Sequence, residues 1–137
     1  MHFLVSSIAV VAWVSLGYGC AAHPALPSRP LGQPFELRTG ASATVGDDLT
    51  VTFDRVRSDS RCPLDALCVQ AGEAVIALTL SQASSARAER ELRTTPATSE
   101  ASYQSYLVKL VALAPYPKST EQIRPEDYIA TLTVDRR

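Results

Sequence analysis

Histidine is almost missing from this 137-residue sequence, which contains only His2 and His23. Both precede the part of the chain that carries strand patterns, so the predicted folded domain has none. A Ser-His-Asp or Cys-His catalytic centre needs an imidazole as its base. Histidine-ligated zinc, copper or non-haem iron needs imidazole ligands. The sequence therefore excludes these sites from the domain, and it predicts neither a metal nor a cofactor.

Glycine-rich motifs and runs of like charge are also missing. The six glycines form neither G-x-x-x-x-G-K-[ST] nor G-x-G-x-x-G, so no phosphate-binding loop is predicted. Lys and Arg number 13 against 14 Asp and Glu, and the formal net charge is -1. Nucleic-acid binders concentrate positive charge on one surface, and this sequence predicts no nucleic-acid partner.

The N-terminal segment has the layout of a signal peptide. No charged side chain occurs from Met1 to Ala22, and Phe3 to Leu16 is an apolar stretch. As a helix this stretch would be roughly 21 Å long, too short for a hydrocarbon core of about 30 Å. Small residues follow it, as at a signal-peptide cleavage site. We therefore expect export, with residues 1–19 as the signal peptide.

Cys20 lies in a segment that resembles a bacterial lipobox, Leu16-Gly17-Tyr18-Gly19-Cys20. Gly19 fits the small residue required before the lipidated cysteine, whereas Gly17 replaces the usual aliphatic residue. This motif predicts cleavage before Cys20 and a membrane anchor on its side chain.

The residues after Cys20 suggest a destination. With Ala21 next, the analogy with lipoprotein sorting in Gram-negative bacteria predicts the periplasmic face of the outer membrane. The alternative is ordinary cleavage after Ala22, which would give a soluble periplasmic or secreted protein.

Residues 20–34 are predicted to form a lipid-anchored tether outside the fold. Proline at this density disfavours helix and favours a semi-extended chain. The four prolines are Pro24, Pro27, Pro30 and Pro34. The domain is then expected to span residues 35–137.

Alternating apolar and polar residues predict about seven short strands in this domain. The fold class is therefore all-β, an antiparallel β-sandwich or open barrel. The clearest strands are "LTVTF", "EAVIALTL", "YLVKLVAL" and "YIATLTV". Residues 85–93 contain good helix formers in "ARAEREL" and are the one candidate helix, and residues 122–127 are expected to make a single turn. Ten residues are predicted to be buried: Leu49, Val51, Phe53, Ile76, Leu78, Leu80, Val108, Leu110, Leu132 and Val134.

Two cysteines remain in the domain, Cys62 and Cys68, in the segment "DSRCPLDALCVQAG". A thioredoxin-like motif needs two residues between its cysteines, whereas five lie between these. Structural zinc sites need four ligands, usually Cys and His. In an oxidising compartment the pair is predicted to form a disulfide, and Pro63 favours the required bend.

The string D-S-R-C-P-x4-C-x-x-A-G-x-A, from Asp59 to Ala74, resembles a group of uncharacterised bacterial exported proteins and lipoproteins. The likeness covers most of residues 35–134, although only the cysteine segment is specific. This chain has Gln70 where Trp is common in the group. The resemblance implies an all-β exported domain and brings no function with it.

The hypothesis from sequence is a non-enzymatic binding or accessory module of the bacterial envelope, with an envelope protein as a possible partner. Its candidate contact surface is the cysteine-containing loop, because a disulfide would reduce the ordering cost of binding. The candidate contact residues are Asp59, Arg61, Asp65, Gln70 and Glu73. These charges could instead form an ion-pair network that fixes the loop. Two alternative functions stay open: an inhibitor that presents this loop to an exported hydrolase, and a small enzyme that uses carboxylates alone.

Overall fold

The structure, a computed structural model, describes residues 25–137 and is a β-sandwich. Nine strands lie in this part of the chain. They are β1 Ser28–Arg29, β2 Phe35–Arg38, β3 Ser42–Val45, β4 Leu49–Asp59, β5 Ala74–Gln82, β6 Ser85–Arg93, β7 Glu100–Tyr103, β8 Tyr106–Ala114 and β9 Ile129–Arg136. The predicted signal peptide, Cys20 and the start of the tether lie outside the described residues. From residue 25 onward, no helix is both long and apolar enough to cross a membrane.

The strands form two sheets, in the orders β1-β3-β4-β5-β6 and β2-β9-β8-β7. Neighbours are antiparallel except β1 and β3, which are parallel. The predicted all-β sandwich is therefore confirmed. Two short 3-10 turns, Pro96–Thr98 and Pro125–Asp127, interrupt the connections, and the second is the turn expected between residues 122 and 127.

The inward faces of both sheets form one hydrophobic core. All ten residues predicted to be buried belong to it. In β4, the alternation of apolar and polar residues matches the alternation of buried and half-buried positions from Leu49 to Phe53. A strand places successive side chains on opposite faces, so this pattern directs one face to the core.

The candidate helix at residues 85–93 was wrong, because this segment is strand β6. It pairs with β5 from Val75↔Arg93 to Gln82↔Ser85. Its glutamates meet arginines of β4 on the outer face, with Glu89 within 2.6 Å of Arg57. Helix propensity is a weak preference, and pairing with a buried neighbouring strand overrides it.

The prediction that residues 20–34 stay outside the fold is wrong for its C-terminal part. Ser28 and Arg29 pair with β3 as an edge strand, flanked by Pro27 and Pro30. Leu31 packs against the core. The ordered sandwich therefore begins before Phe35, and fewer residues separate Cys20 from it than the sequence suggested.

The direction of the strands defines two ends of the sandwich. β4 ends, and β5 begins, at the end that carries the cysteine segment, residues 60–73, which we call the disulfide loop. The turns at residues 46–48 and 83–84 lie at the opposite end, where the Gln82 amide donates to Asp48 at 2.8 Å. β1 is parallel to β3 and so runs away from the disulfide loop. Residues 25–27 therefore approach Ser28 from the side of the disulfide loop.

Candidate functional site

The disulfide loop closes on itself, as the sequence predicted. Cys62 and Cys68 are bonded, with their Cα atoms 5.9 Å apart. The Cys62 amide donates to the Ala71 carbonyl at 2.9 Å, and the Ser60 amide donates to the Glu73 carbonyl at 2.8 Å. These bonds continue the β4–β5 ladder into the base of the loop. The loop is consequently an extension of the sheet with a covalently closed ring at its tip.

Gly72 is required where the chain returns from the ring. Its φ of +65° lies in the left-handed region, and a Cβ atom there would be 1.8 Å from the Ser60 carbonyl oxygen. Only glycine lets the two sides of the loop come so close. The glycine near the end of the motif therefore has a steric function.

Asp59 and Arg61 form a buried ion pair at the base of the loop. The Arg61 guanidinium donates through Nε to Asp59 Oδ1 at 2.8 Å and through Nη2 to Oδ2 at 2.6 Å. The Asp59 side chain is only 9% exposed and the Arg61 side chain only 4%. Such a two-pronged geometry fixes orientation as well as charge. Both side chains are consequently turned inward, away from any partner.

The same guanidinium joins the loop to the end of β8 and to the residues just after it. Arg61 Nη1 donates to the Leu113 carbonyl at 2.7 Å, and Nη2 donates to the Pro115 carbonyl at 3.0 Å. The guanidinium also lies 4.7 Å from the centroid of the Tyr116 ring, within cation–π range. Arg61 therefore links the two sheets at this end of the sandwich.

Tyr128 completes the cluster by donating its hydroxyl to Asp59 Oδ2 at 3.1 Å. Burial acts to raise the pKa of Asp59, but the hydrogen bonds and charge of Arg61 outweigh it and hold that pKa below its ordinary value. Burial and the adjacent Asp59 carboxylate raise the pKa of Tyr128 to about 12. At neutral pH Asp59 is thus an ionised carboxylate with both oxygens hydrogen-bonded, and Tyr128 is a neutral donor. This arrangement is suited to holding a loop.

Asp65 and Glu73 are also engaged within the protein. The Ser119 hydroxyl and amide donate to Asp65 at 2.6 and 2.8 Å, and these bonds lower its pKa. Thr95 donates to Glu73 at 2.7 Å and Arg93 forms an ion pair with it, so the pKa of Glu73 is lowered too. Of the five candidate contact residues, Asp65 and Gln70 are exposed. Among the described residues, the Gln70 side chain alone of the five makes no hydrogen bond. The charges near the ring therefore brace it.

The outward surface of the ring and of the residue just after it is aliphatic instead. Leu64 is 68% exposed, and Leu67 and Val69 are 106% and 104% exposed, as far from other groups as a side chain in an extended peptide. We call these three residues the apolar tip. Asp65 is the one charged residue between Cys62 and Gly72. An exposed group of large aliphatic side chains on a braced loop is a typical contact surface.

Sequence reasoning missed the apolar tip because it looked for chemistry in charged residues. The available clue was size, since a ring of seven residues cannot fold over its own side chains. Aliphatic residues inside such a ring must point outward unless another element covers them.

The arrangement also bears on metal binding and on acid–base chemistry. In residues 25–137, no group of three or more His, Cys, Asp or Glu side chains is placed to hold a metal ion. A shallow depression beside the ion pair is lined by Asp59, Pro117, Glu121, Gln122, Ile123 and Tyr128. Asp59, the carboxylate in this depression that belongs to the buried ion pair, is already paired with Arg61. Its low pKa makes Asp59 a poor proton acceptor for catalysis.

No protein-family model, curated protein or solved structure matches this chain.

Proposed function

We propose that this protein is an exported, lipid-anchored binding or accessory module of the bacterial envelope, and that the apolar tip is its contact surface. The supporting observation is the exposure of Leu64, Leu67 and Val69 on a loop fixed by a disulfide, a buried ion pair and backbone hydrogen bonds. Exposed aliphatic residues weaken solubility, so their clustering at one rigid point calls for a function.

Rigidity favours contact because little entropy is lost when the loop binds. Burying an aliphatic side chain of this size stabilises a complex by about 1.5 to 3 kcal/mol. The ordering of a mobile loop would offset part of that gain, whereas a loop already held in place retains it. The bracing by Asp59 and Arg61 thus serves the contact indirectly.

The experiment is photo-crosslinking in cells from a reactive amino acid placed at residue 67. The matched control carries the same amino acid at Ala83, an exposed turn residue at the opposite end of the sandwich. We expect crosslinked products from position 67 and few from position 83. Equal, low yields from both positions would show that the disulfide loop is architecture alone.

The anchor is tested separately. Mass spectrometry of the mature N-terminus should find an acylated cysteine at position 20, and Cys20→Ala should release the protein from the membrane fraction. A mature chain that begins at His23 would refute the anchor and leave the contact surface to be judged by the crosslinking alone.

A second candidate function is inhibition of an exported hydrolase. The convex shape of the ring favours it, because a fixed loop with outward side chains can occupy an enzyme cleft. Purified protein should then inhibit an exported protease or glycosidase, and Leu67→Ser should abolish the inhibition. A lack of inhibition across representative enzymes of both classes would leave the accessory module as the proposal.

A further inference from the structure

We propose that the apolar tip rests in the surface of the same bilayer that holds the lipid on Cys20, as a second attachment point that orients the domain. This inference rests on the proposed anchor. It deepens the proposed function by naming the partner of the apolar tip as a lipid surface.

The first support is the direction in which the chain enters the fold. Ser28 pairs with Thr44 in a parallel bridge, and the Thr44 amide donates to the Pro27 carbonyl at 3.1 Å. Since β3 starts on the disulfide-loop side and runs away from it, the chain leading into Ser28 comes from that side. Residues 25–27 therefore enter the fold from the end of the sandwich that carries the apolar tip.

The second support is the length of chain between Cys20 and Ser28, compared with the distance from Ser28 to the loop. The register connects Ser28 through Thr44 and Thr50 to Ser81, and the base of the loop is at Ala74, seven residues along β5. At about 3.3 Å per residue, the loop base is roughly 23 Å from the level of Ser28.

The eight residues from Cys20 to Ser28 span at most about 28 Å when fully extended. An acylated Cys20 can thus reach the level of the loop base, but the Cys62–Ala71 hydrogen bond places the ring about three residues, or roughly 10 Å, farther along. The sandwich must therefore tilt for the anchor and the apolar tip to meet one bilayer. An anchor of this length keeps the domain close to the bilayer and lets the disulfide-loop end face it.

The third support is the chemistry around the apolar tip. Tyr116 is half-exposed beside the ring, and the side chain of Lys118 is 53% exposed next to it. The Leu64 amide donates to the Pro117 carbonyl at 3.0 Å, so this segment is attached to the ring. Tyrosine and lysine around a projecting aliphatic group are the residues favoured at a membrane–water interface.

The small area of the apolar tip favours a lipid surface over a protein interface. Leu67 projects fully from the ring and Val69 from the position just after it, and together with Leu64 they offer only a small apolar area. A stable protein interface needs a much larger complementary patch. Insertion of a few side chains into a bilayer needs none, and the covalent lipid already supplies the affinity.

The experiment uses Leu67→Trp in the acylated mature protein. The chain has one tryptophan, Trp13, which lies in the predicted signal peptide, so the introduced residue would be the only fluorescent indole. The protein is reconstituted in phosphatidylcholine vesicles whose acyl chains carry bromine close to the headgroup. Ala83→Trp is the matched control, and Val69→Trp is a second reporter in case the first variant folds poorly.

We expect a blue-shifted emission and several-fold stronger quenching at position 67 than at position 83. Equal, weak quenching at both positions in protein whose acylation is verified by mass would overturn the inference while leaving the anchor intact. If position 67 crosslinks in cells to a protein and not to lipid, the inference also fails, although the proposed contact surface survives. If the mass shows no acyl group, the proposed anchor fails and the inference fails with it.

Discussion

Replacement of Arg61 by methionine should destabilise the protein strongly, although the residue belongs to a loop. Methionine retains most of the length of the side chain and removes every donor. Asp59 would then keep a negative charge at 9% exposure without its cation. The Leu113 carbonyl would lose the donor that now lies 2.7 Å away.

The expected cost follows from these losses. Removing one partner of a buried ion pair costs about 3 to 5 kcal/mol, because an uncompensated charge is left behind. An orphaned buried carbonyl adds about 1 to 3 kcal/mol where water cannot reach it. The retained packing of the methionine offsets part of this, so we expect a loss of about 3 to 5 kcal/mol. A domain with a typical stability of about 5 to 15 kcal/mol would still fold.

Urea unfolding followed by far-ultraviolet circular dichroism measures the change. The control is Arg55→Met, since Arg55 lies 3.2 Å from Glu89 in an ion pair whose side chains are about half exposed. Exposed pairs contribute at most about 1 kcal/mol. A cost for Arg61→Met no larger than that of Arg55→Met would refute the assignment of Arg61 to the internal framework.

The pH dependence of the Arg61→Met effect gives a second check. The folded pKa of Asp59 lies below its ordinary value of 3.8. The stability gained from the ionised, paired carboxylate is thus present above that value and is lost as pH falls through the folded pKa. The difference in the free energy of unfolding between wild type and Arg61→Met should therefore become smaller in acid. A difference that stays constant between neutral pH and about pH 3 would argue against a charge-based cost.

Three further predictions concern the same end of the sandwich. Gly72→Ala should lower the free energy of unfolding by more than about 2 kcal/mol, because a left-handed strain of about 1 to 2 kcal/mol is joined by a clash with backbone. Gly40→Ala is the control, and it should cost only the strain, because nothing lies within 4 Å of the added Cβ. Equal costs in urea unfolding would refute the clash. Reduction of the disulfide should lower the free energy of unfolding by roughly 2 kcal/mol and leave the sandwich folded at room temperature, and a loss of the strand spectrum on reduction would contradict this. Because the folded pKa of Tyr128 is raised to about 12, the protein should lose about 2 to 3 kcal/mol of stability as the pH rises from the unfolded pKa of 10 to that value. Tyr128→Phe should abolish this part of the alkaline transition, and an unchanged transition in stability measured against pH would refute it.

The sequence was most informative where one residue's environment is set by its neighbours in the same strand. Alternation in β4 and β5 identified the buried faces correctly, because the two-residue period is a property of any extended chain. Residues 85–93 defeated the same reasoning. Their helix formers compete with a pairing to β5 that depends on residues distant in sequence.

The sequence predicted the disulfide loop correctly, but it proposed charged contact residues that the structure engages within the protein. Spacing and an expected oxidising compartment predict the Cys62–Cys68 bond, and the sequence leaves open that Asp59 and Arg61 fix the loop. Which side chains face outward depends on the carbonyls of Leu113 and Pro115, more than fifty residues away. No local pattern encodes that contact. The exposure of Leu67 could not be read from a stretch whose aliphatic residues would suit a core equally well.

The two-residue strand β1 has a consequence for solubility. A sheet edge with free backbone groups is a template on which another chain can add a strand. Here the outermost strand pairs over only Ser28 and Arg29, and Pro27 and Pro30 on either side have no backbone N–H to donate. A second molecule arriving at this edge finds too few donors to extend the sheet. The segment that leads the chain into the fold thus also guards it against polymerisation at high local concentration, the condition that crowding many copies onto one membrane would create.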